Sequence, residues 1–405
     1  MIRAFVLLMT MLGAIGSVAA DEALPSRAAL TAEVAEKLSR VQKLLAEKKL
    51  GGLLISKVRN FSWLSGGLGD NHIVITSEDG AASLLVLADG RKFLVASNSE
   101  AARLETEDLA GLGFQLAQFR WYEDKQSPDQ KRKLIDSLAA GKTIATDTPY
   151  GNLPMADSAA LHDLQTPLTN TELQKYRWLG KHTAEAVAAA LARVKPGMSE
   201  REMEAIASDE LLRRQIRPTV LLMGTDERIY KFRHAVPSDA VVKRYAMVNV
   251  CARRWGLVIA VTRFVHFGPI PADLAHRLES AARVGATMAQ ALKPGVTAKA
   301  LFDVAKAAYK SVGFPDEWQA HHQGGAIGYE ERDFLIHPSA TESVHDRQAF
   351  AFNPSIAGAK VEDTIVLIDG HVENLTATPT LPTLTVKVGG RSEMQPAIWV
   401  RTEIK

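Results

Sequence analysis

The side chains best suited to proton transfer in this sequence are three histidines and one carboxylate. His234 lies in the segment Phe232–Ser238, His321 and His322 stand next to one another, and Glu362 follows in the same half of the chain. Histidine has an unperturbed pKa near neutrality, so these imidazoles can exchange protons at physiological pH. A buried carboxylate must pair with a cation, accept hydrogen bonds or protonate. These residue types predict a polar site for acid–base chemistry or for binding a cation.

The two adjacent histidines are expected to diverge. Successive side chains of a β-strand point to opposite faces, so only one of His321 and His322 can face a cleft. Behind them, Gly324 and Gly325 let the backbone pass close to whatever fills the cleft. A single zinc ion held by His321, His322 and Glu362 is therefore disfavoured, although three such ligands are in principle enough for one.

The elements that position these residues begin with an N-terminal α/β domain, which we place at residues 26–167. Residues 29–49 have apolar residues at helical spacing, which predicts an amphipathic helix. Short apolar runs separated by turn residues predict strands. These runs cover residues 52–55, 72–76, 83–87 and 92–96.

The second half of the chain contains an internal repeat. A domain boundary is expected at residue 168, where polar capping residues precede a long helix. Two segments, Lys195–Ser199 and Lys293–Thr297, share the order Lys-Pro-Gly followed by a Ser or Thr. In each, Pro and Gly end one helix and the hydroxyl residue caps the next. Ser199 and Glu202 have the spacing of a capping box.

Several segments of this half resemble those of a known superfamily. Residues 321–328 resemble the H-x-x-G-H-G-I-G segment of methionine aminopeptidase, aminopeptidase P, prolidase and creatinase. Residues 353–356 and 361–364 resemble their E-P-G and V-E-D-T segments, and residues 249–263 resemble their D-x-G…D-x-T-R pattern. The resemblance implies an α/β (α+β) protein with a creatinase-type N-terminal domain. It also implies a pita-bread C-terminal domain with an internal pseudo-twofold repeat over residues 168–405.

Most of the superfamily's metal ligands are missing at the matching positions. The five ligand positions fall on Asn249, Ala260, Gly325, Asn353 and Glu362. Only Glu362 keeps the family's residue type, and neither Gly nor Ala can donate an electron pair to a metal. One carboxylate also cannot balance the charge of two buried divalent ions. We therefore expect no metal ion and no other cofactor.

The resemblance also implies roles for individual residues. His234 lies where creatinase-like members keep an acid/base histidine, and His321 matches a histidine that contacts substrate. We predict a catalytic set of His234, His321 and Glu362, and we expect His322 to be structural. The residues predicted to contact substrate are Asn249, Asn353, Arg263, Tyr329 and Arg332. Arg332 resembles the arginine that grips a substrate carboxylate in creatinase, but residues 330–333 can also be aligned with the H-E-E-P segment of methionine aminopeptidase.

Composition and the N-terminus limit the surroundings in which the protein works. The chain has 48 basic and 46 acidic residues and a net charge of +2, which gives no electrostatic case for nucleic acid or a membrane surface. No phosphate-binding G-x-x-x-x-G-K-[ST] segment is present in the sequence. Arg3, an apolar run and small residues up to Ala20 are typical of a secretory signal. We expect cleavage after Ala20, a periplasmic or secreted protein, and no membrane attachment afterwards.

Together these observations favour a metal-independent, creatinase-like hydrolase. It would cleave a C–N bond of a small nitrogen compound with His234 as general acid/base. The alternative is a non-catalytic ligand-binding pseudoenzyme of the Xaa-Pro peptidase fold. Glu362 would either hold a cationic substrate or pair with Arg263 or His321.

The resemblance to dimeric creatinase and prolidase also implies a homodimer. In those proteins the N-terminal domain of one subunit helps to close the cleft of the other. The segment Trp63–His72 is the expected contributor, with Trp63, Asn71 and His72 as the contact residues. A small-molecule substrate is the other expected partner.

Overall fold

The computed structural model of the chain describes residues 24–126 and 129–402. The predicted signal at residues 1–20 lies outside this part of the chain. Within the described residues, no helix is both long and apolar enough to cross a bilayer. The described chain is a mixed α/β protein with two successive domains.

The N-terminal domain packs helices around a mixed five-stranded sheet in the order β4-β3-β2-β1-β5. Strand β1 pairs antiparallel with β2 and parallel with β5, so it lies inside the sheet. Its first five residues are buried, as expected for a strand covered on both faces. The elements are α1 (Arg27–Glu47), β1 (Gly52–Lys57), α2 (Val58–Leu64), β2 (Asp79–Leu87), β3 (Lys92–Ser97), α3 (Ala101–Arg103, continued by a π-helical turn, Leu104–Asp108), β4 (Gln115–Phe119), α4 (Trp121–Gln126), α5 (Asp129–Ala139), β5 (Ile144–Thr146) and α6 (Ser158–Gln165).

The segment at residues 72–76 is not a strand, contrary to the prediction. The partner of β1 is β2, which begins only at Asp79, and residues 72–76 form an irregular loop before it. Ile73, Val74 and Ile75 are consequently exposed by 57%, 61% and 76%. An apolar run alone does not make a strand, because its backbone groups need a neighbouring strand to bond with.

The segment expected to reach a partner subunit is also largely buried in its own domain. Trp63 is only 1% exposed, and the Lys37 ammonium lies 5.6 Å from the centre of its ring. The Asn71 side chain is fully buried and donates to the carbonyl oxygens of Ser56 and Ala82. This corrects the prediction that Trp63 and Asn71 are intermolecular contacts.

The first half of the C-terminal domain sets a helix pair against a sheet in the order β18-β8-β7-β6. The predicted capping box of Ser199 with Glu202 is confirmed, and at the expected helix start after residue 168 Thr169 forms a second box with Glu172. Each cap satisfies backbone N–H groups that a helix start leaves unpaired. The elements are α7 (Asn170–Arg193), α8 (Glu200–Arg213), β6 (Arg217–Thr225), α9 (Glu227–Lys231), β7 (Tyr245–Arg254) and β8 (Leu257–Phe267).

The second half repeats this arrangement with another helix pair and the sheet β10-β9-β11-β14-β15. Thr297 caps its second helix, as the repeated Lys-Pro-Gly segment predicts. Strand β18 returns to the first half and pairs with β8. The elements are α10 (Ala272–Ala291), α11 (Ala298–Ser311), β9 (Gly324–Ile327), β10 (Phe334–Leu335), β11 (Gln348–Phe352), β12 (Ser355–Ile356), β13 (Ala359–Lys360), β14 (Asp363–Ile368), β15 (His371–Asn374), β16 (Thr383–Val388), β17 (Arg391–Pro396) and β18 (Trp399–Arg401).

A buried charge network joins the two domains. Glu33 and Lys37 of α1 meet Glu172 and Lys175 of α7, and all four side chains are fully buried. The Tyr329 hydroxyl donates to Glu172 over 2.7 Å and accepts from Lys37 over 3.0 Å. Two ammonium groups therefore balance two carboxylates, as burial of charge requires.

Candidate active site

The floor of the site is the hairpin of β7 and β8. Asn249 lies opposite Thr262 and Cys251 lies opposite Ala260 across this hairpin. Residues two apart on a strand share a face, so Asn249 and Cys251 face the same side. An isolated bridge joins Thr262 to Glu362, which brings the retained glutamate over Asn249.

The Glu362 carboxylate is almost completely buried, at 2% exposure, and is held by hydrogen bonds and two cations. Its Oε2 atom accepts from Asn249 Nδ2 and from Thr262 Oγ1, each over 2.7 Å, and lies 2.8 Å from Lys360 Nζ. Its Oε1 atom accepts from Arg332 over 3.1 Å. Both oxygen atoms are therefore engaged by groups of the protein itself.

These partners set the protonation state of Glu362. Burial alone would raise the pKa of this carboxyl group, but the charges of Lys360 and Arg332 outweigh burial and bring the pKa to about 2. Glu362 is thus an anion at neutral pH. Its cationic partners are Lys360 and Arg332, whereas the sequence offered Arg263 or His321 as alternatives.

Asn353 and Gly325, which match two further ligand positions of the superfamily, have different surroundings. Asn353 is 2% exposed, and its Oδ1 atom has no hydrogen-bond partner among the described residues. A Cβ atom at Gly325 would meet the Phe334 carbonyl oxygen of β10 and would lie 2.9 Å from Leu335 Cα. The neighbouring strand β10 therefore occupies the space that a side chain at Gly325 would need.

The three histidines form one cluster. His321 and His322 precede β9, which begins at Gly324, so they are not on a strand and do not diverge. Their ring centres are 4.2 Å apart, and His321 Nε2 lies 3.0 Å from His234 Nε2. The prediction that only one of the adjacent histidines reaches the cleft is therefore corrected.

The imidazoles of this histidine cluster are neutral at neutral pH. Burial, reinforced by Lys360, lowers the pKa of His321 to about 2. Burial, reinforced by Arg332, lowers the pKa of His322 to about 4. Partial burial also lowers the pKa of His234, and the charge of Lys360 lowers it further to a smaller extent. Each ring consequently keeps a nitrogen lone pair that can accept a proton or bind an electrophile.

Arg263 and Tyr329 lie in structural networks. The Arg263 guanidinium donates to Asp363 Oδ1 over 2.6 Å, to the Thr376 carbonyl over 2.7 Å and to Thr378 Oγ1. Tyr329 belongs to the buried charge network between the domains. Since these groups already have partners, a substrate contact would leave buried charges or donors unpaired. We withdraw both from the predicted substrate contacts. Asn249 and Arg332 donate to the Glu362 carboxylate, and Asn353 directly follows β11.

The cysteine between these residues does not supply a nucleophile. Cys251 is 7% exposed, and burial raises the pKa of its thiol to about 12. Since the thiolate is the reactive form, this thiol is inert at neutral pH.

A separate cavity of about 640 Å³ lies near the tip of the β7–β8 hairpin. Its lining includes Arg253, whose guanidinium donates to Ser62 Oγ. Arg253 follows Asn249 by four strand residues, or about 13 Å at the rise of a β-strand. The cavity also reaches Glu331, the residue before Arg332, but neither Glu362 nor the histidine cluster lines it.

Lys360 is the site residue that sequence reasoning missed. It ends β13, two positions before Glu362, and its side chain is 7% exposed. The available signal was a lysine two positions before the one glutamate retained at the superfamily's ligand positions. Nothing in the spacing alone shows that the lysine turns inward.

Comparison with known families agrees with this architecture. Residues 37–174 match the creatinase/prolidase N-terminal domain, and residues 174–369 match metallopeptidase family M24. The chain belongs to the pita-bread superfamily of creatinase and prolidase. Family M24 is a family of peptidase-like hydrolases, and the resemblance given by the sequence segments is thereby confirmed.

Individual relatives of this M24 chain are distant. An uncharacterised peptidase of Staphylococcus saprophyticus is 20% identical over 355 residues, which is 84% of this chain and 99% of the relative. The dipeptidase PepE of Mycobacterium ulcerans superposes with a TM-score of 0.71 at 20% identity, over 86% of this chain and 97% of its own. The prolidase of Pyrococcus horikoshii OT3 gives a TM-score of 0.71 at 18% identity, over 85% and 98%. At this identity the superpositions show a shared fold.

The same fold occurs in a protein that is named for a complex. The N-terminal domain of the FACT complex subunit SPT16 from chickpea superposes with a TM-score of 0.66 at 13% identity, over 87% of this chain and 97% of its own. At this identity the superposition shows a shared fold alone.

Proposed function

We propose that this protein is an M24-type hydrolase that cleaves a C–N bond of a small nitrogen compound without the family's pair of metal ions, with His234 as general acid/base. The observation that supports it most is the ion pairing of Glu362 with Lys360 and Arg332, next to the contact between His234 and His321. The charges of Lys360 and Arg332 replace the charge of a metal. The contact between His234 and His321 supplies a group for proton transfer.

The charge balance of the site supports metal independence. Lys360 and Arg332 already neutralise the one carboxylate, and Asn249 and Asn353 carry no charge. Two divalent ions would add four positive charges to a buried site that has no anion left to receive them. A side chain at Gly325 would also collide with β10, so the histidine ligand of the family has no place there.

Proton transfer is available without a metal. Because His234 is neutral and lies 3.0 Å from His321, it can accept a proton while His321 orients its ring. A positioned general base accelerates a reaction by roughly 10²–10⁴. That contribution suits an amidine, urea or activated amide better than an ordinary peptide bond.

The paired cations can also stabilise charge that develops on the substrate. Arg332 has a buried Nε atom without a hydrogen-bond partner among the described residues. A donor fixed in this way can stabilise negative charge on the oxygen or nitrogen atom of a scissile group. Lys360 and Arg332 thus stabilise the negative charge on the scissile group, and His234 acts as the general base that accepts a proton.

The test is a substrate screen with chelator-treated protein. Amidines, ureas, cyclic amides and prolyl dipeptides are incubated with the wild-type protein, and product release is followed by mass spectrometry. For any substrate found, His234→Ala should lower kcat by roughly 10²–10⁴, whereas His276→Ala, a change on the exposed face of α10, should leave kcat unchanged. Near-full turnover in His234→Ala would place the base elsewhere.

A non-catalytic binding protein is the second candidate, and it is favoured by the Asn353 Oδ1 atom, which is buried, has no hydrogen-bond partner among the described residues and can therefore accept a hydrogen bond from a ligand. In that case no compound in the screen is turned over. At least one compound of the screen would instead raise the melting temperature of the wild type and of His234→Ala by the same amount. A binding protein would also need Asn249 and Asn353, so Asn249→Leu should abolish the shift.

We further propose that the protein is exported and that its N-terminal segment is removed. Residues 1–20 lie outside the described part of the chain, so the proposal depends on their sequence alone. Fractionation of expressing cells and N-terminal sequencing of the mature protein test it. A cytoplasmic protein that keeps its first residues would contradict it.

A further inference from the structure

The histidine cluster offers a set of donor atoms that differs from the superfamily's ligand positions. One ligand atom from each of His234, His321 and His322 lies within 4.8 Å of the other two. The contact between His234 Nε2 and His321 Nε2, at 3.0 Å, is already close to the separation of two nitrogen ligands that are each 2.0–2.1 Å from a zinc ion. Small side-chain rotations would bring the third nitrogen to the same point.

The cluster is held together by contacts from both loops that carry it. Arg233, next to His234, forms an ion pair with Glu317, which lies just before His321. The Gln323 side chain behind the pair accepts from the Tyr309 hydroxyl over 2.6 Å. These contacts fix the two loops relative to each other, so the three rings are brought together before any ligand binds.

The chemistry of the cluster selects a class of ion. Three imidazole nitrogens suit zinc and its transition-metal neighbours, whereas magnesium and calcium prefer oxygen ligands. His321 Nδ1 is buried and has no hydrogen-bond partner among the described residues, so this ring has a nitrogen without a structural task. A three-histidine site with an open fourth position is also an established form of zinc coordination.

We propose that His234, His321 and His322 together bind a single Zn²⁺ ion, at a site separate from Glu362 and the other positions where the superfamily places its metals. The fourth position is left to water or to a ligand. Because the metal takes the lone pair that His234 needs for proton transfer, zinc and acid/base catalysis by His234 exclude one another. Zinc is therefore an inhibitor of the hydrolysis proposed above, and its binding does not depend on that activity.

Binding has one structural consequence that can be stated in advance. His322 Nδ1 accepts a hydrogen bond from the Gly324 N–H over 3.2 Å. A neutral imidazole with a metal on one nitrogen carries its proton on the other. Whichever nitrogen of His322 binds zinc, Nδ1 loses its free lone pair and this hydrogen bond is broken.

The experiment titrates the full-length, chelator-treated protein with Zn²⁺ in competition with a chromophoric chelator, and repeats the titration with Co²⁺ to read its visible spectrum. The wild type should bind one ion per chain, with the intense absorption of four-coordinate cobalt. His321→Ala and His322→Ala should each weaken binding by at least about 100-fold, the upper range for loss of even an outer-shell partner. His276→Ala should bind as the wild type does, and circular dichroism should show that all variants are folded.

Glu362→Gln separates this site from the superfamily's own. It should still bind one zinc ion per chain, with binding weakened by no more than about tenfold, a difference of roughly 1.4 kcal/mol, because Glu362 is not a ligand and its loss only leaves the charges of Lys360 and Arg332 unbalanced near the histidine cluster. Loss of binding in Glu362→Gln with retention in His322→Ala would place the ion at the family positions and overturn the proposal. Binding of much less than one ion per chain by the wild type would overturn it as well.

Discussion

Lys360 Nζ lies 2.8 Å from Glu362 Oε2. The Glu362 carboxylate matches a position at which the superfamily has a metal ligand. The same oxygen accepts hydrogen bonds from Asn249 and Thr262, and the other oxygen accepts from Arg332. The retained glutamate is thus satisfied by neighbours in its own chain. This relationship is the basis of the proposed metal-independent site, and it can be tested by stability as well as by activity.

Replacing Lys360 should lower the free energy of unfolding, because the buried Glu362 carboxylate then loses one of its two cations. Lys360→Met leaves Glu362 with one cation, and breaking a buried ion pair from one side costs about 3–5 kcal/mol. We expect this loss in the free energy of unfolding measured with denaturant at pH 7. Lys387→Met, a change at an exposed lysine of β16, should have almost no effect. The double variant Lys360→Met/Glu362→Gln should recover most of the loss.

The pH dependence of stability should report the low pKa of Glu362. Its folded pKa, about 2, lies below the value of an unfolded glutamate, so the ionised group contributes stability above the unfolded pKa. This contribution is lost as the pH falls from about 4.5 towards 2. The difference in unfolding free energy between the wild type and Glu362→Gln should therefore shrink over that window. A difference that grows on acidification would contradict the assignment of Lys360 and Arg332 as its partners.

Gly325 should not accept a side chain. Gly325→Ala places a Cβ atom against the Phe334 carbonyl of β10, and overpacking of this kind costs about 1–3 kcal/mol or more. Gly325→His should be worse and should not restore metal binding, even together with Asn249→Asp, Ala260→Asp and Asn353→Glu. Thermal unfolding and metal analysis of these variants provide the measurement. A stable quadruple variant that binds two ions would show that β10 can move aside.

Tyr329 should affect stability and leave activity unchanged. Tyr329→Phe removes the hydroxyl that connects Glu172 and Lys37, and an unsatisfied buried polar group costs about 1–3 kcal/mol. The expected result is a lower melting temperature with unchanged kcat and KM for any substrate found. An increase in KM without loss of stability would return Tyr329 to the substrate site.

The predicted homodimer should depend on Ile73, Val74 and Ile75. These neighbouring apolar side chains are 57–76% exposed, whereas Trp63 and Asn71 are buried. A contiguous exposed apolar patch often marks an interaction surface. Ile75→Asp should shift the protein from dimer to monomer in light scattering at micromolar concentration, and Val372→Asp on the edge strand β15 serves as control. A wild-type monomer would contradict the prediction.

The sequence by itself determined features that depend on near neighbours in the chain. Helix starts at Thr169, Ser199 and Thr297 could be predicted because a capping hydroxyl bonds to a backbone N–H only two or three residues away. The superfamily segments and the residue types at its ligand positions are likewise read directly from the chain. This was enough for the fold class and for the expectation that the two-metal site is incomplete.

Only the tertiary structure decided which side chains meet. Tyr329 bonds to Lys37 across 292 residues of chain, and His321 meets His234 across 87. No local pattern fixes such pairs, because they depend on how separate sheets and loops pack together. For the same reason, the sequence analysis missed Lys360, did not place His322 with the other two histidines and wrongly predicted a strand at residues 72–76. Local propensity predicts an element, but the partner that satisfies its charges and hydrogen bonds is supplied by the fold.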